Sequence, residues 1–281
     1  MPRIKVGQVD YLNCLPVYHA LEENLLPHSC TIVKGTPTCL NSMFLNEQLA
    51  VTPISSIEYA RNSDNCIILP DMSISADGKV ASILLFSKIP VTELDRKKVC
   101  LTSSSATSVA LLKILFEHYY LVDAAFETTA PNLDSMLQSG DGALLIGDDA
   151  MLAHQMVDEQ KLPIHVTDLG EAWKEFTGEK MVYALWVVKE SFAGNQPDTV
   201  NEITSSLHES RDMGLNDFAN LVKKAHKKSS LPVPILKDYF GTIEHSLGED
   251  EKRALMTFFD YAYKSDLIQE RIQLKIWGEE A

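Results

Sequence analysis

Small polar side chains stand at four points where an apolar, strand-like segment runs into a helix-like segment. A helix N-terminus presents unpaired backbone N–H groups, and hydroxyl or amide side chains beside it add further hydrogen-bond donors. Such junctions can bind a carboxylate without many arginines. We expect them to form a substrate site if the fold brings them together. The residues at the four junctions are Tyr11 and Asn13; Ser55 and Ser56; Ser103, Ser104, Ser105, Thr107 and Ser108; and Gly147 and Asp148.

Each of these residues also has a purely structural interpretation as a helix cap. Asn, Asp, Ser and Thr are the preferred N-cap residues, and Asn13 precedes Pro16, which suits the first turn of a helix. Capping could therefore account for any single junction. The polar run from Ser103 to Ser108 is longer than capping requires, so the four junctions together favour a binding site.

The composition narrows the classes of partner. The 281 residues include 39 acidic and 25 basic side chains, and the formal net charge of −14 argues against nucleic acid as a partner. No apolar run approaches the roughly 20 residues that cross a bilayer. No basic segment with a following apolar run precedes the first strand-like segment. We therefore expect a cytoplasmic protein without a membrane partner, whose small-molecule substrate binds at a locally positive site.

Familiar catalytic and metal-binding patterns are missing from the sequence. The five cysteines are scattered without a Cys-x-x-Cys pair, and neither Gly-x-Ser-x-Gly nor His-Glu-x-x-His occurs. Asp148 and Asp149 fit helix capping better than metal binding. We expect neither a metal nor a cofactor.

Strand-like and helix-like segments alternate over the first 190 residues, which predicts an α/β fold with mostly parallel sheets. Extended segments that end at Lys88 and Lys189 suggest that the chain passes from one lobe to another and back, with a cleft between them. We predict a first lobe from residues 1–88 and 190–281, including a helical C-terminal tail, and a second lobe from 89–189. A Rossmann dinucleotide fold is disfavoured because no Gly-x-Gly-x-x-Gly follows a strand.

Three predictions concern segments outside the junctions. A short strand should cover residues 67–70 and end at Pro70, and one long helix should cover residues 249–272. His245 is interpreted as a surface histidine.

Several motifs, taken in order over residues 4–190, resemble a known family, the chorismate dehydratases of the futalosine route to menaquinone. The motifs are Tyr11-Leu12-Asn13-x-x-Pro16; Ala76-Asp77-Gly78-x-Val80-x-Ser82-Ile83-x-Leu85-x-Ser87; Ser104-x-x-Thr107-Ser108; Ile146-Gly147-Asp148; and Asp168-Leu169-Gly170-x-x-Trp173-x-x-x-Thr177-Gly178.

The resemblance implies a two-lobed fold similar to type II periplasmic binding proteins. It also implies a carbon–oxygen lyase that removes water from chorismate to give 3-[(1-carboxyvinyl)oxy]benzoate. By position in the family pattern, the resemblance implies that Asn13 and Ser82 are the pair of residues at the reacting centre. Without that pattern, Ser82 would be interpreted as a polar residue that faces solvent from an edge strand.

Two alternatives stay open. The first is a non-catalytic cytosolic binding protein for a small carboxylate, because a fold does not prescribe a function. The second is the sister family that makes 1,4-dihydroxy-6-naphthoate, whose Ser-Pro-Cys-Pro-Asn-Asp-like opening segment is absent here. The oligomeric state is left open.

Overall fold

The computed structural model describes residues 4–279, over which strands and helices alternate. The strands are β1 Ile4–Val9, β2 Cys30–Gly35, β3 Val51–Ser55, β4 Cys66–Ala76, β5 Ile83–Ser87, β6 Lys98–Thr102, β7 Ala125–Thr129, β8 Gly142–Ile146, β9 His165–Asp168 and β10 Met181–Lys189. The helices are α1 Leu15–Glu22, α2 Pro37–Leu45, α3 Ser56–Arg61, α4 Ala106–Leu115, α5 Leu133–Ser139, α6 Gly147–Gln160, α7 Leu169–Thr177, α8 Glu190–Asn195, α9 Pro197–Asn216, α10 Phe218–Ser229, α11 Val233–Thr242 and α12 Glu249–Lys264.

The strands form two five-stranded sheets with the same arrangement. Their orders are β2-β1-β3-β10-β4 and β7-β6-β8-β5-β9. In each sheet the first three strands are parallel, and the fourth runs antiparallel to both of its neighbours. The predicted two-lobed α/β architecture is confirmed. Four of the five strands in each sheet run in the same direction, as the prediction of mostly parallel sheets requires. β5 and β10 are the single antiparallel strands that make both sheets mixed.

The chain crosses between the sheets at residues 77–82 and 178–180, and not at the predicted boundaries after Lys88 and Lys189. β5 belongs to the second sheet, where it pairs with β8 and β9, and β10 belongs to the first sheet between β3 and β4. Both strands are apolar and almost fully buried. Such a strand can complete either sheet, so its sequence pattern does not reveal its partners. The sheets thus assign residues 83–87 to the second lobe and 181–189 to the first.

Helices cover the faces of both sheets, and α9 packs along α1 over the first one. Within residues 4–279, no helix combines the length and apolar character needed to cross a bilayer. The predicted helix 249–272 is shorter than expected, because α12 ends at Lys264 and the following residues run back to bridge Ile68 through Ile276.

At Gly214 the backbone of α9 approaches α1 closely. A Cβ atom there would overlap the backbone carbonyl oxygen of Pro16, so alanine must push the helices apart. We expect Gly214→Ala to lower the free energy of unfolding by about 2–3 kcal/mol in urea titrations. Gly194→Ala is the matched control in α8, where the Cβ position is open. It should leave stability unchanged or raise it by up to about 1 kcal/mol. Equal stabilities would contradict the close approach.

Candidate active site

A cavity of about 440 Å³ lies between the two sheets. The β1–α1 junction and the end of β3 border it from the first lobe, and the β6–α4 and β8–α6 junctions border it from the second. All four polar junctions therefore meet at the carboxyl ends of parallel strands. The predicted residues that line the cavity are Tyr11, Asn13, Ser55, Ser82, Ser103, Ser104, Ser105, Ser108 and Gly147.

Asn13 lines this cavity and carries an unsatisfied polar atom. Its side-chain oxygen Oδ1 is buried and has no hydrogen-bond partner within residues 4–279. The capping position of α1 is occupied by Cys14, and no side chain caps that helix end. Leaving a buried acceptor unpaired costs about 1–3 kcal/mol, so a ligand contact is the natural reason to keep one. The geometry thus favours the binding interpretation of Asn13 over the capping one.

The backbone of Asn13 is held by a histidine from the C-terminal helical region. Its carbonyl oxygen accepts a hydrogen bond from Nε2 of His245 at 2.8 Å. His245 is only 4% exposed, so its interpretation as a surface residue is wrong. Burial lowers the pKa of His245 to about 4, and the ring is therefore neutral at physiological pH.

Ser82 ends the crossing segment 77–82 and is 3% exposed. Its carbonyl oxygen accepts a hydrogen bond from the Gly147 N–H at 2.6 Å, which ties it to the start of α6. Its hydroxyl lies beside the buried phenol of Tyr239. Ser82 is therefore a buried residue of the cavity wall and not a solvent-facing edge residue.

Tyr11 reaches from the first lobe to the second. Its hydroxyl lies beside the Ser104 side chain, and its ring packs against Gly147. Gly147 has a φ of +61°, and a Cβ atom there would lie 3.4 Å from the ring. Burial raises the pKa of Tyr11, so its phenol stays protonated at neutral pH.

Of the serines at the polar junctions, some cap a helix and others do not. Ser105 does cap α4, since its Oγ accepts a hydrogen bond from the Ser108 N–H at 3.2 Å. Ser55 occupies the capping position of α3 without making a capping bond. Its buried Oγ lacks a partner among the described residues. Ser103 is exposed at the rim, and Ser104 pairs with Thr102 through their hydroxyl oxygens at 2.6 Å.

Two predicted site residues, Ser56 and Thr107, are structural and lie outside the cavity lining of the described chain. The Ser56 hydroxyl donates to the carbonyl oxygen of Val182 at 2.7 Å. Thr107 Oγ1 accepts a hydrogen bond from the Ile57 N–H at 3.0 Å. Because Ile57 lies in the first turn of α3 and Thr107 in the first turn of α4, this bond joins the two lobes beside the cavity.

Asp148 also joins the lobes without lining the cavity within residues 4–279. Its Oδ1 accepts a hydrogen bond from the Leu12 N–H at 3.3 Å, so a second-lobe carboxylate holds the segment that carries Tyr11 and Asn13. Burial raises the pKa of Asp148 to about 6, and nearby Asp149 and Asp10 add to the effect. Asp148 is thus a lobe contact that titrates close to neutral pH.

The raised pKa of Asp148 predicts that the folded protein becomes less stable as the pH rises. Between about pH 4 and 6 the folded state keeps a proton on Asp148 that the unfolded state has released, so stability falls as pH rises through this window. Asp148→Asn retains an oxygen for Leu12 and cannot ionise. We expect the free energy of unfolding of this variant, relative to that of wild type, to rise by about 1–2 kcal/mol between pH 4 and 7. This figure is smaller than the full pKa shift would give, because solvent partly screens the carboxylate. Asp64→Asn, at an exposed position, controls for the charge change. A pH-independent difference for Asp148→Asn would contradict this assignment.

The cavity also contains charged residues that sequence reasoning missed. Lys113 lines it from α4, with Nζ 5.5 Å from the centre of the Phe126 ring, and no carboxylate of the described chain lies within ion-pair distance of it. Arg61 and Glu58 form an ion pair at 2.6 Å. The α4 spacing, with Val109 four positions before Lys113, could have placed this lysine on the cavity face.

Two further lining groups are ionisable but neutral. Burial raises the pKa of the Cys14 thiol to about 12, and burial also raises that of the Tyr183 phenol well above its usual value. The Tyr183 hydroxyl is buried and has no partner among residues 4–279. Asn13, Ser55 and Tyr183 are thus lining residues that each carry a buried oxygen without a partner among the described residues.

Comparisons with known proteins agree with the fold and identify the family. The family model described as menaquinone biosynthesis matches residues 4–264. A chorismate dehydratase of Thermus thermophilus is 28% identical over 264 residues, which cover 90% of this chain and 93% of that protein. A crystal structure of an Archaeoglobus fulgidus protein superposes with a TM-score of 0.78 at 19% identity, over 94% of this chain and 98% of that one.

The periplasmic aliphatic sulphonate binding protein SsuA of Escherichia coli has the same fold, with a TM-score of 0.69 at 12% identity over 100% of this chain and 94% of its own. The expected periplasmic-binding-protein-like fold is therefore confirmed. Because the family model covers nearly the whole chain, this protein is a member of the menaquinone biosynthesis family.

Proposed function

We propose that this protein is a chorismate dehydratase, a cytoplasmic carbon–oxygen lyase that converts chorismate into 3-[(1-carboxyvinyl)oxy]benzoate without a cofactor. The observation that carries the proposal is the pairing of Asn13 and Ser82 on the wall of one interlobe cavity, with the Asn13 side-chain oxygen buried and unpaired among the described residues. Family membership and the name of the Thermus thermophilus relative support it.

The cavity suits a small dianion such as chorismate. Its volume of about 440 Å³ lies in the range of small-molecule sites. The helix N-termini of α3, α4 and α6 meet at its edge and favour negative charge. Lys113 adds a cation on the wall, so the site can be locally positive although the chain carries a net charge of −14.

The reaction requires little covalent chemistry from the protein. The ring C3–H bond breaks, its electron pair forms the last ring double bond, and the C4–O bond breaks to release hydroxide, which leaves as water after protonation. Aromatisation drives this elimination, so the enzyme needs to align groups and stabilise developing charge. In our proposal Ser82 donates a hydrogen bond to the departing oxygen. Asn13 orients the hydroxyl or the enolpyruvyl carboxylate through its amide.

The protein groups in the cavity are poor bases. Cys14 and Tyr11 are protonated at neutral pH because burial raises the pKa of both. The one carboxylate on the described lining, Glu58, is already bound by Arg61 at 2.6 Å and by the Asn41 amide at 3.2 Å. We therefore assign the C3 proton to the enolpyruvyl carboxylate of the substrate, which lies beside that hydrogen.

Incubation with chorismate, followed by liquid chromatography and mass spectrometry, tests this function. We expect chorismate to be replaced by a product that has lost one water and carries an aromatic ring. Binding without turnover would favour the non-catalytic binding protein, and neither binding nor turnover would overturn both interpretations. The sister activity would need a base for a larger carbon skeleton, and no histidine lines the cavity within residues 4–279.

A further inference from the structure

The crossing segment that carries Ser82 has little regular structure of its own. Residues 77–82 form neither helix nor strand between β4 and β5. Ala81, immediately before Ser82, has a φ of +62°, a left-handed conformation that costs a non-glycine residue about 1–2 kcal/mol. Such a conformation persists only where the surroundings hold it. The position of Ser82 must therefore be imposed by contacts from other elements.

One side chain supplies most of these contacts. Asp168, at the end of β9, accepts hydrogen bonds through Oδ2 from the Ala81 N–H at 2.7 Å and the Val80 N–H at 3.1 Å. Through Oδ1 it accepts from the Gly170 N–H at 2.9 Å and the Glu171 N–H at 3.2 Å. The Val80 N–H also reaches Oδ1, at 3.2 Å. Oδ2 thus accepts only from the crossing segment, while Oδ1 accepts both N–H groups that begin α7 and shares the Val80 N–H.

We propose that Asp168 is a positioning residue for the dehydration reaction, which fixes Ser82 at the reacting centre by holding Val80 and Ala81 against the N-terminus of α7. This inference rests on the proposed function. Asp168 does not line the cavity in the described chain, so it acts through Ser82 and not on the substrate. The placement also ties Ser82 to the N-terminus of α7, the element that precedes the second crossing.

The two oxygens make the role separable from helix capping. Asparagine and serine are good N-cap residues and can still accept from Gly170 and Glu171. An asparagine side chain has only one acceptor oxygen, so its amide N–H₂ would face the Ala81 N–H. A serine side chain is too short to reach both the N-terminus of α7 and the crossing segment. Asp168→Asn and Asp168→Ser should therefore keep α7 and release the crossing segment.

Steady-state kinetics with chorismate and hydrogen exchange test this assignment. We expect both variants to lower kcat by about tenfold or more, with KM changed less than about threefold, because misplacement of Ser82 affects the transition state. In a Ser82→Ala background, Asp168→Asn should change kcat by less than about threefold, since the two residues act as one unit. The amides of Val80 and Ala81 should exchange at least about tenfold faster, while those of Gly170 and Glu171 stay protected.

The matched control is Asn132→Ala, which removes the N-cap of α5 in the same lobe, where Asn132 Oδ1 accepts from the Ser135 N–H at 2.9 Å. Its kcat should stay within about twofold of wild type, although it loses a similar cap energy. Equal losses for Asp168→Asn with and without Ser82, or unchanged exchange at Val80 and Ala81, would overturn the proposal. An inactive wild type would instead refute the dehydratase function, and the exchange data would still decide whether Asp168 holds this segment.

Discussion

Asn13→Ala is expected to lower kcat for chorismate dehydration by about 10²–10³, the usual cost of removing one preorganised polar contact from an active site. Asn13 lines the cavity, and its side-chain oxygen is buried and unpaired within residues 4–279, so we expect the substrate to supply the missing hydrogen-bond partner. The backbone at Asn13 is held by His245, so the amide is already in place when the substrate arrives. Single-turnover product formation measures the effect on the chemical step.

The matched control for Asn13 is Asn46→Ala, which removes an exposed amide at the end of α2. Its kcat should remain within about twofold of wild type, because surface substitutions away from such features are nearly neutral. If Asn13→Ala turned chorismate over at a rate within about threefold of wild type, Asn13 would have no role at the reacting centre.

Ser82→Ala is expected to lower kcat by about 10² while KM changes much less. The reason is that the hydroxyl stabilises charge on the departing oxygen, which develops only in the transition state. The loss should therefore appear in the chemical step and not in binding. Single-turnover rates and chorismate titrations of the same variant separate the two.

The Ser82 substitution also removes a buried hydroxyl beside the Tyr239 phenol, so folding must be checked in parallel. A urea unfolding curve that shows a folded variant with a slow chemical step would support the assignment. Ser205→Ala, at an exposed serine of α9, is the matched hydroxyl deletion and should retain full activity. A Ser82→Ala variant with normal kcat and raised KM would contradict a role at the leaving group.

The sequence predicted the strand ends of the site well because each junction combines a buried strand with a polar helix start. β1, β3, β6 and β8 all end where the apolar pattern stops, and their following residues line the cavity. Parallel strands end at one edge of a sheet, so correct strands are enough to place the junctions together. This local pattern, a buried strand followed by a polar helix start, can be recognised without knowing which sheet the strand joins.

The partners of the crossing strands could not be predicted in the same way. β5 and β10 are buried on both faces, and their pattern is equally suited to either sheet. The predicted strand at 67–70 continues through Pro70 to Ala76, because β4 is an edge strand of its sheet, where a missing N–H can be tolerated.

Contacts between residues that are far apart in the sequence also could not be predicted from local sequence patterns. His245 meets Asn13 over 232 positions of sequence, and Asp168 meets Ala81 over 87. Charge and hydropathy around His245 resemble those of a surface segment, yet tertiary packing buries it to 4% exposure. Long-range contacts of this kind depend on the assembled lobes and leave no periodic signal in the chain.

The most direct test of the account is a proton NMR time course of chorismate with the wild-type protein and with the Asn13→Ala/Ser82→Ala double variant. With wild type, we predict that the ring-diene resonances disappear and the aromatic resonances of 3-[(1-carboxyvinyl)oxy]benzoate grow. With the double variant, we predict that chorismate is consumed only at its non-enzymatic rate. Unchanged chorismate with wild type, or equal product growth with both proteins, would contradict the assignment of this cavity as a dehydratase site.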